Sequence, residues 1–226
     1  MSSDLKVTNI KHSSSGSNNL VLASDGTTTV SGALTASGGI ANAGTITSGT
    51  LGSSVVFPAG GTGNAISVAI IADEKSYNTD GGGSSTGSFI TRDLNTEISD
   101  PDNIVTIEST THTVSGHTST YKFTLGAGTY QISWSCPAFK SNRHTTHLYD
   151  ETGTTVLQEG TSEYAAASGV VGNHSFGSFI HTISTNNTYQ IRQRFDTAQA
   201  TDGLGVAHDY SGSNNIYTIV YIYKLK

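Results

Sequence analysis

The clearest strand signal in this chain is the segment STYKFTLGAGTYQISWSC, residues 119–136. On both sides of Gly126-Ala127-Gly128, large apolar residues alternate with polar ones, which is the spacing of a β-strand with one face toward a core. The glycines can adopt the positive φ values of a short turn. The sequence therefore predicts a β-hairpin at the centre of a β core. Its core-facing residues are Tyr121, Phe123, Leu125, Tyr130, Ile132, Trp134 and Cys136.

Composition narrows the class of protein. The 226 residues carry a net charge of −6 and a pI near 5.7, which argues against a nucleic-acid surface. No apolar run is long enough for a membrane span, and the first residues lack the layout of a secretory signal. Only 12% of residues are charged, and Ser, Thr, Asn and Gly replace them, which disfavours long helices. The single cysteine, Cys136, is interpreted as a small buried apolar residue.

Strand signals continue through the C-terminal two-thirds of the chain. They cover 66–72, 89–98, 104–108, 143–150, 154–158, 163–171, 175–184, 188–195 and 216–224. Turn residues separate them, and no amphipathic helical pattern interrupts them. The sequence therefore predicts an all-β, jelly-roll sandwich head over residues 64–226.

Residues 1–63 differ from the head in composition. No charged residue occurs from 26 to 72, and sparse aliphatic residues alternate with glycine turns. One copy of such a segment cannot bury its aliphatic side chains away from water, whereas several copies packed around a shared axis can. We interpret it as an intertwined β stalk of a homotrimer; a flexible Gly/Ser/Thr linker is the alternative. The stalk residues expected at the trimer interface are Val30, Leu34, Ile40, Ile46 and Leu51.

The N-terminal end contains one short alternating segment. Leu5, Val7 and Ile10 would share a strand that has no local partner. Such a strand can add to the sheet edge of another protein, and we expect these residues to dock on a particle. A frayed terminus is the alternative.

The closing strand, 216–223, is largely apolar on both faces. A surface strand of a monomer should have one polar face, so one face is expected to pack in the sandwich and the other to meet a neighbouring subunit. The alternative is a strand enclosed within one domain. The interface residues predicted on this strand are Ile216, Thr218, Val220 and Ile222.

Residues 64–226 resemble the trimeric jelly-roll heads of the complement component 1q and tumour necrosis factor superfamily, in the versions carried by bacteriophage fibres. The resemblance lies in residues 121–124, 128–134, 189–192 and 215–222. It implies a compact trimer in which the strand after the glycine turn and the closing strand are core elements. The sequence pattern of residues 1–63 is similar to that of the stalks of marine phage structural proteins. It lacks the glycine at every third position that a collagen repeat requires.

Signs of catalysis or metal binding are absent from the sequence pattern. His144 and His147 lie three apart on a predicted strand, point to opposite faces and are expected to be exposed. Loop aspartates such as Asp100 and Asp102 have the oxygen ligands of a calcium site, but turn formation is the favoured explanation for them. We therefore predict no catalytic residue, no metal and no cofactor.

Exposed aromatic residues on loops can stack on sugar rings. The candidates near predicted loops or strand ends are Tyr77, Phe139, Tyr164 and Tyr210, and core packing or subunit contact is the alternative for each.

The leading functional hypothesis is a non-enzymatic, homotrimeric phage fibre or spike on the virion surface. Its N-terminus would dock to tail or capsid proteins, and its head would contact a host-surface glycan or protein. A capsid decoration protein that stabilises the head shell is the alternative. An enzyme such as a glycan depolymerase is the third hypothesis.

Overall fold

A computed structural model describes residues 9–10, 20–22, 28–30, 66–114, 117–119 and 121–225. The regular secondary structure of these residues consists of β-strands. The chain divides into two compact units, Met1–Val56 and Phe57–Lys226.

The first unit contains a small antiparallel sheet of three strands. Strand β2 (Leu20–Leu22) lies between β1 (Asn9–Ile10) and β3 (Thr28–Val30). Ile10, one of the predicted docking residues, is half exposed. Val30, one of the predicted stalk residues, is the last residue of β3. The remaining predicted docking and stalk residues lie outside the described residues: Leu5, Val7, Leu34, Ile40, Ile46 and Leu51.

The second unit is a sandwich of two sheets. Its strands are β4 (Ser67–Lys75), β5 (Ile90–Thr91), β6 (Thr96–Ser99), β7 (Val105–Glu108), β8 (His112–Val114), β9 (His117–Ser119), β10 (Lys122–Leu125), β11 (Gly128–Phe139), β12 (Asn142–Asp150), β13 (Thr155–Glu159), β14 (Glu163–Ala165), β15 (Gly172–Ile183), β16 (Asn187–Phe195) and β17 (Asn215–Lys224). The front sheet has the order β15-β11-β17-β4-β6. The back sheet has the order β13-β12-β16-β10-β7, with β14 paired to β12 and β5 to β16. Strands β8 and β9 form a separate two-stranded sheet among the described strands.

All strand pairs in both sheets are antiparallel, and successive strands repeatedly cross from one sheet to the other. This is the winding of a jelly roll, so the predicted fold class of the head is confirmed. The core lies between the sheets and includes Trp134 from the front sheet and Phe123, Leu148 and Ile191 from the back sheet.

The predicted hairpin within residues 119–136 is wrong. Strand β10 pairs with β7 and β16 in the back sheet, whereas β11 pairs with β15 and β17 in the front sheet. The glycine turn therefore carries the chain across the sandwich. Phe123 and Ile132 are both fully buried, but they belong to opposite layers of one core. An alternating pattern specifies the buried face of a strand and does not specify its neighbour.

The predicted strand over 89–98 is also divided between the layers. Strand β5 belongs to the back sheet and β6 to the front sheet, and the residues between them pass through the interior. Arg92, in this passage, is fully buried. Its guanidinium donates hydrogen bonds to Thr218 Oγ1 (2.6 Å), Gln193 Oε1 (3.2 Å) and the backbone oxygens of Pro137 and Leu204. These bonds join both sheets to the loop before β17.

Candidate functional site

The outward surface of the front sheet is rich in large apolar side chains. On β15, Phe176 is 53% exposed and Ile180 is 58% exposed, while Ser175 and Ile183 point into the sandwich. Across the sheet, Phe176 is opposite Ser135 and Ile180 is opposite Gln131. The residues in between are small and polar, and Ser133 and Ser178 lie with their Oγ atoms 2.8 Å apart.

Strands β17 and β4 continue this surface. Tyr221 is 36% exposed and lies opposite Ile70, and Tyr223 lies opposite Val68. We define the apolar face as Phe176, Ile180, Tyr221, Tyr223, Ile70 and Val68. It has apolar residues along both sides of a strip of hydroxyl and amide groups on β11. Exposed aliphatic and aromatic side chains on one sheet surface are typical of a protein contact site.

The structure contradicts most of the interface predicted on the closing strand. Thr218, Val220 and Ile222 have no exposed surface because they fill the space between the sheets. They cannot contact a neighbouring subunit. Of the four predicted residues only Ile216, at 45% exposure, reaches the surface. A β-bulge between Ile216 and Ile219 shifts the register of this strand.

Residues Phe176 and Ile180 of the apolar face were not predicted from the sequence. Their strand shows the same signal as the closing strand, because both of its faces contain large apolar residues: Phe176 and Ile180 on one, Phe179 and Ile183 on the other. The signal that identified the closing strand could therefore have found them.

The sandwich has two distinct ends. At the near end, the beginning of β4 pairs with the end of β17, with Ser67 opposite Lys224. At the far end lie the loops over 76–89, 140–141, 166–171 and 196–214. Of the predicted ligand contacts, Tyr77 (43% exposed), Tyr164 (58%) and Tyr210 (74%) are at the surface near this end. Phe139 is only 5% exposed and is packed in the fold, so it offers no open ring face for a sugar.

One cavity of about 580 Å³ opens beside Tyr164. It is lined by Arg143, His144, Thr145, Ser162, Glu163, Tyr164, Arg194, Phe195 and Asp196. Strands β12, β14 and β16 of the back sheet supply most of these residues. A second cavity of about 340 Å³ lies at the same end beside Phe139, Val206, His208 and Ile216.

The two histidines of the H-x-x-H motif are buried, which corrects the expectation that they are exposed. His144 is 3% exposed and His147 is 4% exposed. His144 hydrogen-bonds through Nε2 to Asn173 Oδ1 (2.6 Å) and through Nδ1 to Gln193 Nε2 (3.1 Å). The ring of His147 stacks on Phe89 with centroids 3.9 Å apart. Burial lowers the pKa of both imidazoles, that of His147 to about 4 with a further contribution from Arg192.

The remaining candidates for chemistry have structural roles. Asp100 caps a turn, since its carboxylate accepts hydrogen bonds from the Ile104 and Val105 amides at 2.9 Å each. Cys136 is fully buried, and burial raises the pKa of its thiol to about 11, so it is not a reactive thiolate at neutral pH. No group of three or more metal-ligating side chains occurs within the described part of the chain. No helix among those residues has the length and apolar character to cross a membrane.

Comparison with solved structures finds similar folds at very low sequence identity. The globular domain of zebrafish complement 1qA aligns at 11% identity, covering 71% of this chain and 98% of that one, with a TM-score of 0.38. Murine APRIL aligns at 8% identity, covering 71% of this chain and 100% of that one, with a TM-score of 0.41. Eiger TNF from S. frugiperda aligns at 10% identity, covering 72% and 94%, with a TM-score of 0.37. No family model and no curated protein sequence matches the chain.

Proposed function

We propose that the protein is a non-enzymatic homotrimer whose heads associate through the apolar face of the front sheet. The observation that carries this proposal is the exposure of Phe176, Ile180 and Tyr221 on one surface of one sheet. Burying about 200 Å² of apolar surface per chain would stabilise the assembly by about 5 kcal/mol per chain before ordering costs. The hydroxyl strip on β11 would supply hydrogen bonds between subunits.

Within this trimer, the far ends of the three heads present the same loops and cavities. Three equal sites on one rigid body convert weak single contacts into strong attachment. We infer that the assembly is a virion fibre or spike, anchored through the N-terminal unit, whose head contacts a host-surface glycan or protein. The support for a virion role is the resemblance of residues 121–134 and 215–222 to phage fibre heads, and that of residues 1–63 to phage stalks.

The oligomeric state tests the first part of the proposal. Light scattering of the full chain at micromolar concentration should give about 70 kDa, which is three times 23.5 kDa. A mass of 23.5 kDa at that concentration would overturn the proposed assembly.

Location on the particle tests the second part. Electron cryo-microscopy of intact particles should place the protein on the tail, with the N-terminal unit toward the particle. Density on the capsid shell, together with reduced particle stability when the protein is missing, would instead assign it to capsid decoration.

A further inference from the structure

The cavity beside Tyr164 is built on the outer surface of the back sheet, away from the apolar face. Strand register places Tyr164 directly opposite Arg143, and Arg194 directly opposite Thr145. Arg143 and Thr145 alternate with the buried His144 and Thr146, so they point away from the core. Four side chains from three paired strands therefore share one outward surface. Such a site is fixed by backbone pairing and requires no loop to close.

The charges of the cavity leave one guanidinium without a counter-ion. Arg143 Nη1 contacts Asp196 Oδ2 at 3.4 Å. Glu163 Oε2 accepts a hydrogen bond from Asn173 Nδ2 at 3.3 Å, and Asn173 in turn bonds His144. The side chain of Arg194 is exposed and makes no hydrogen bond or ion pair to any residue that the structure describes. One planar, bidentate donor is thus available for an anion.

The rest of the lining is suited to a sugar ring. Tyr164 is 58% exposed, and its strand pairing with β12 holds its position at the cavity wall. Ser162 adds a hydroxyl group that can both donate and accept hydrogen bonds, and Thr145 Oγ1, which donates to the backbone oxygen of Gly160 at 3.4 Å, adds an acceptor. The volume of about 580 Å³ lies within the range of about 300–1,000 Å³ found for ligand sites.

We propose that this cavity binds a sugar unit that carries a carboxylate, as in a uronic-acid polysaccharide. Arg194 binds the carboxylate, Tyr164 packs against the apolar side of the ring, and Thr145 and Ser162 bond its hydroxyl groups. A singly charged carboxylate fits one unpaired guanidinium, because Glu163 and Asp196 would repel a ligand of higher charge. The inference rests on the proposed attachment function and names the ligand class of one head site.

The test uses the full chain and two probes, trigalacturonate and its methyl ester, in which each charged carboxylate is replaced by a neutral ester with one added methyl group. Titration calorimetry at fixed salt should show binding of the acid at least about tenfold tighter than of the ester, the worth of one charge-assisted hydrogen bond. Arg194→Gln should weaken acid binding about tenfold, and Tyr164→Ala should weaken binding of both probes. Lys140→Gln removes a charge at the same end but outside the cavity, and Tyr210→Ala removes an exposed tyrosine outside it. Both controls should bind as the unaltered protein does.

Three results would overturn the inference. The first is equal affinity for the acid and the ester, and the second is an equal loss of acid affinity in Arg194→Gln and Lys140→Gln. The third is tighter binding of tri-glutamate than of trigalacturonate, which would assign the cavity to acidic peptides. Light scattering of the same samples keeps the two proposals separate. If the protein is trimeric but does not bind trigalacturonate, only the ligand assignment is wrong. If the protein is a monomer, the proposed assembly is wrong.

Discussion

The indole of Trp134 donates a hydrogen bond from Nε1 to Oγ1 of Thr146 at 2.8 Å, across the two layers of the sandwich. Thr146 Oγ1 lies 2.8 Å from Ser175 Oγ, which itself donates to the backbone oxygen of Thr161 at 2.7 Å. Because Ser175 has one hydroxyl proton and uses it on Thr161, Thr146 must donate to Ser175. A single directed chain of hydrogen bonds therefore runs from the only tryptophan through the core to the segment after β13.

Removing the acceptor of the tryptophan should destabilise the head. Thr146→Val keeps the shape of the side chain but leaves a buried indole N–H without a partner, which costs about 1–3 kcal/mol. Thr146→Ser keeps the hydroxyl and should cost less than Thr146→Val. Urea unfolding followed by tryptophan fluorescence, at one protein concentration, measures both variants. A loss in Thr146→Ser as large as that in Thr146→Val would contradict the larger share that we assign to the hydrogen bond.

Gly177 provides the space that Trp134 occupies. The two residues are cross-strand partners, and a Cβ atom on Gly177 would lie 2.0 Å from Cζ2 of the indole. Gly177→Ala must displace the ring from its hydrogen bond, so we expect a loss of about 1–3 kcal/mol or more. Gly126→Ala is the matched control, since its Cβ would approach Asn186 Oδ1 only to 3.7 Å. Thermal unfolding of both variants that gives the same Tm would contradict the packing described for Trp134.

His147 should make the head less stable in acid. Its pKa is lowered to about 4 by burial and by Arg192, while the unfolded chain has an ordinary histidine pKa near 6.5. The unfolded state therefore binds the proton first, and stability that is complete above about pH 6.5 is lost as the pH falls toward 4. The loss attributable to this residue is on the order of 3 kcal/mol. Urea unfolding between pH 4 and pH 7 measures it.

His147→Phe is the control for that pH dependence. Neither ring nitrogen of His147 has a hydrogen-bond partner within the described residues, and the ring already stacks on Phe89, so phenylalanine should be accepted at pH 7. The pH profile of this variant should be flatter than that of the unaltered protein. The lowered pKa values of His144 and His174 would leave a residual slope. An unchanged profile would exclude His147 as the cause.

A charge on the apolar face should separate the heads. Ile180→Asp places a carboxylate where the proposed trimer buries an aliphatic side chain that is 58% exposed in the single chain. Desolvation of that charge without a partner opposes association by several kcal/mol. Light scattering should then report a lower mass at micromolar concentration. Val156→Asp, at an exposed position on the back sheet, should leave the mass unchanged. Dissociation by both variants, or by neither, would contradict the assignment of this face.

Arg92 should be far more important for stability than an exposed arginine. Its guanidinium is fully buried and bonds to Thr218, Gln193 and two backbone oxygens. Arg92→Met leaves these acceptors without their donor, and we expect a loss of about 3 kcal/mol or more. Arg143→Met, whose side chain is 82% exposed, should change the free energy of unfolding by less than about 1 kcal/mol. Denaturant midpoints of the two variants provide the comparison.

Most strands of the head could be predicted, because one face of each strand is buried and the other contacts solvent, which produces an alternating apolar and polar pattern. Strands β7, β12 and β16 begin and end within one residue of the predicted segments. Which strands pair with one another was harder to predict from the sequence. The alternation of apolar and polar residues over 119–136 is compatible with a hairpin and also with two strands in different sheets. Which of the two forms depends on strand partners that lie far away in the chain. Leu125, for example, pairs with Asn187 and Val105.

The candidate site shows the same division between local and distant information. Tyr164 and Tyr210 are exposed, which agrees with what was expected of aromatic residues with a polar hydroxyl near loops. His147 is buried because Phe89, 58 positions earlier, covers it, and nothing near His147 in the sequence signals that cover. Arg92 likewise acquires partners 45 to 126 positions away. Cavities formed by non-consecutive strands, such as that beside Arg194, have no local signature.

Strand β17 lies between β11 and β4 in the middle of the front sheet, although it is the last of the described strands to be synthesised. Until β17 inserts, β11 and β4 lack the partner that lies between them, and the surface that carries Tyr221 is incomplete. A front sheet that folds in this order leaves two unpaired strand edges open until its last pairing step. A variant whose β17 pairs slowly should therefore aggregate more during refolding than the unaltered protein does.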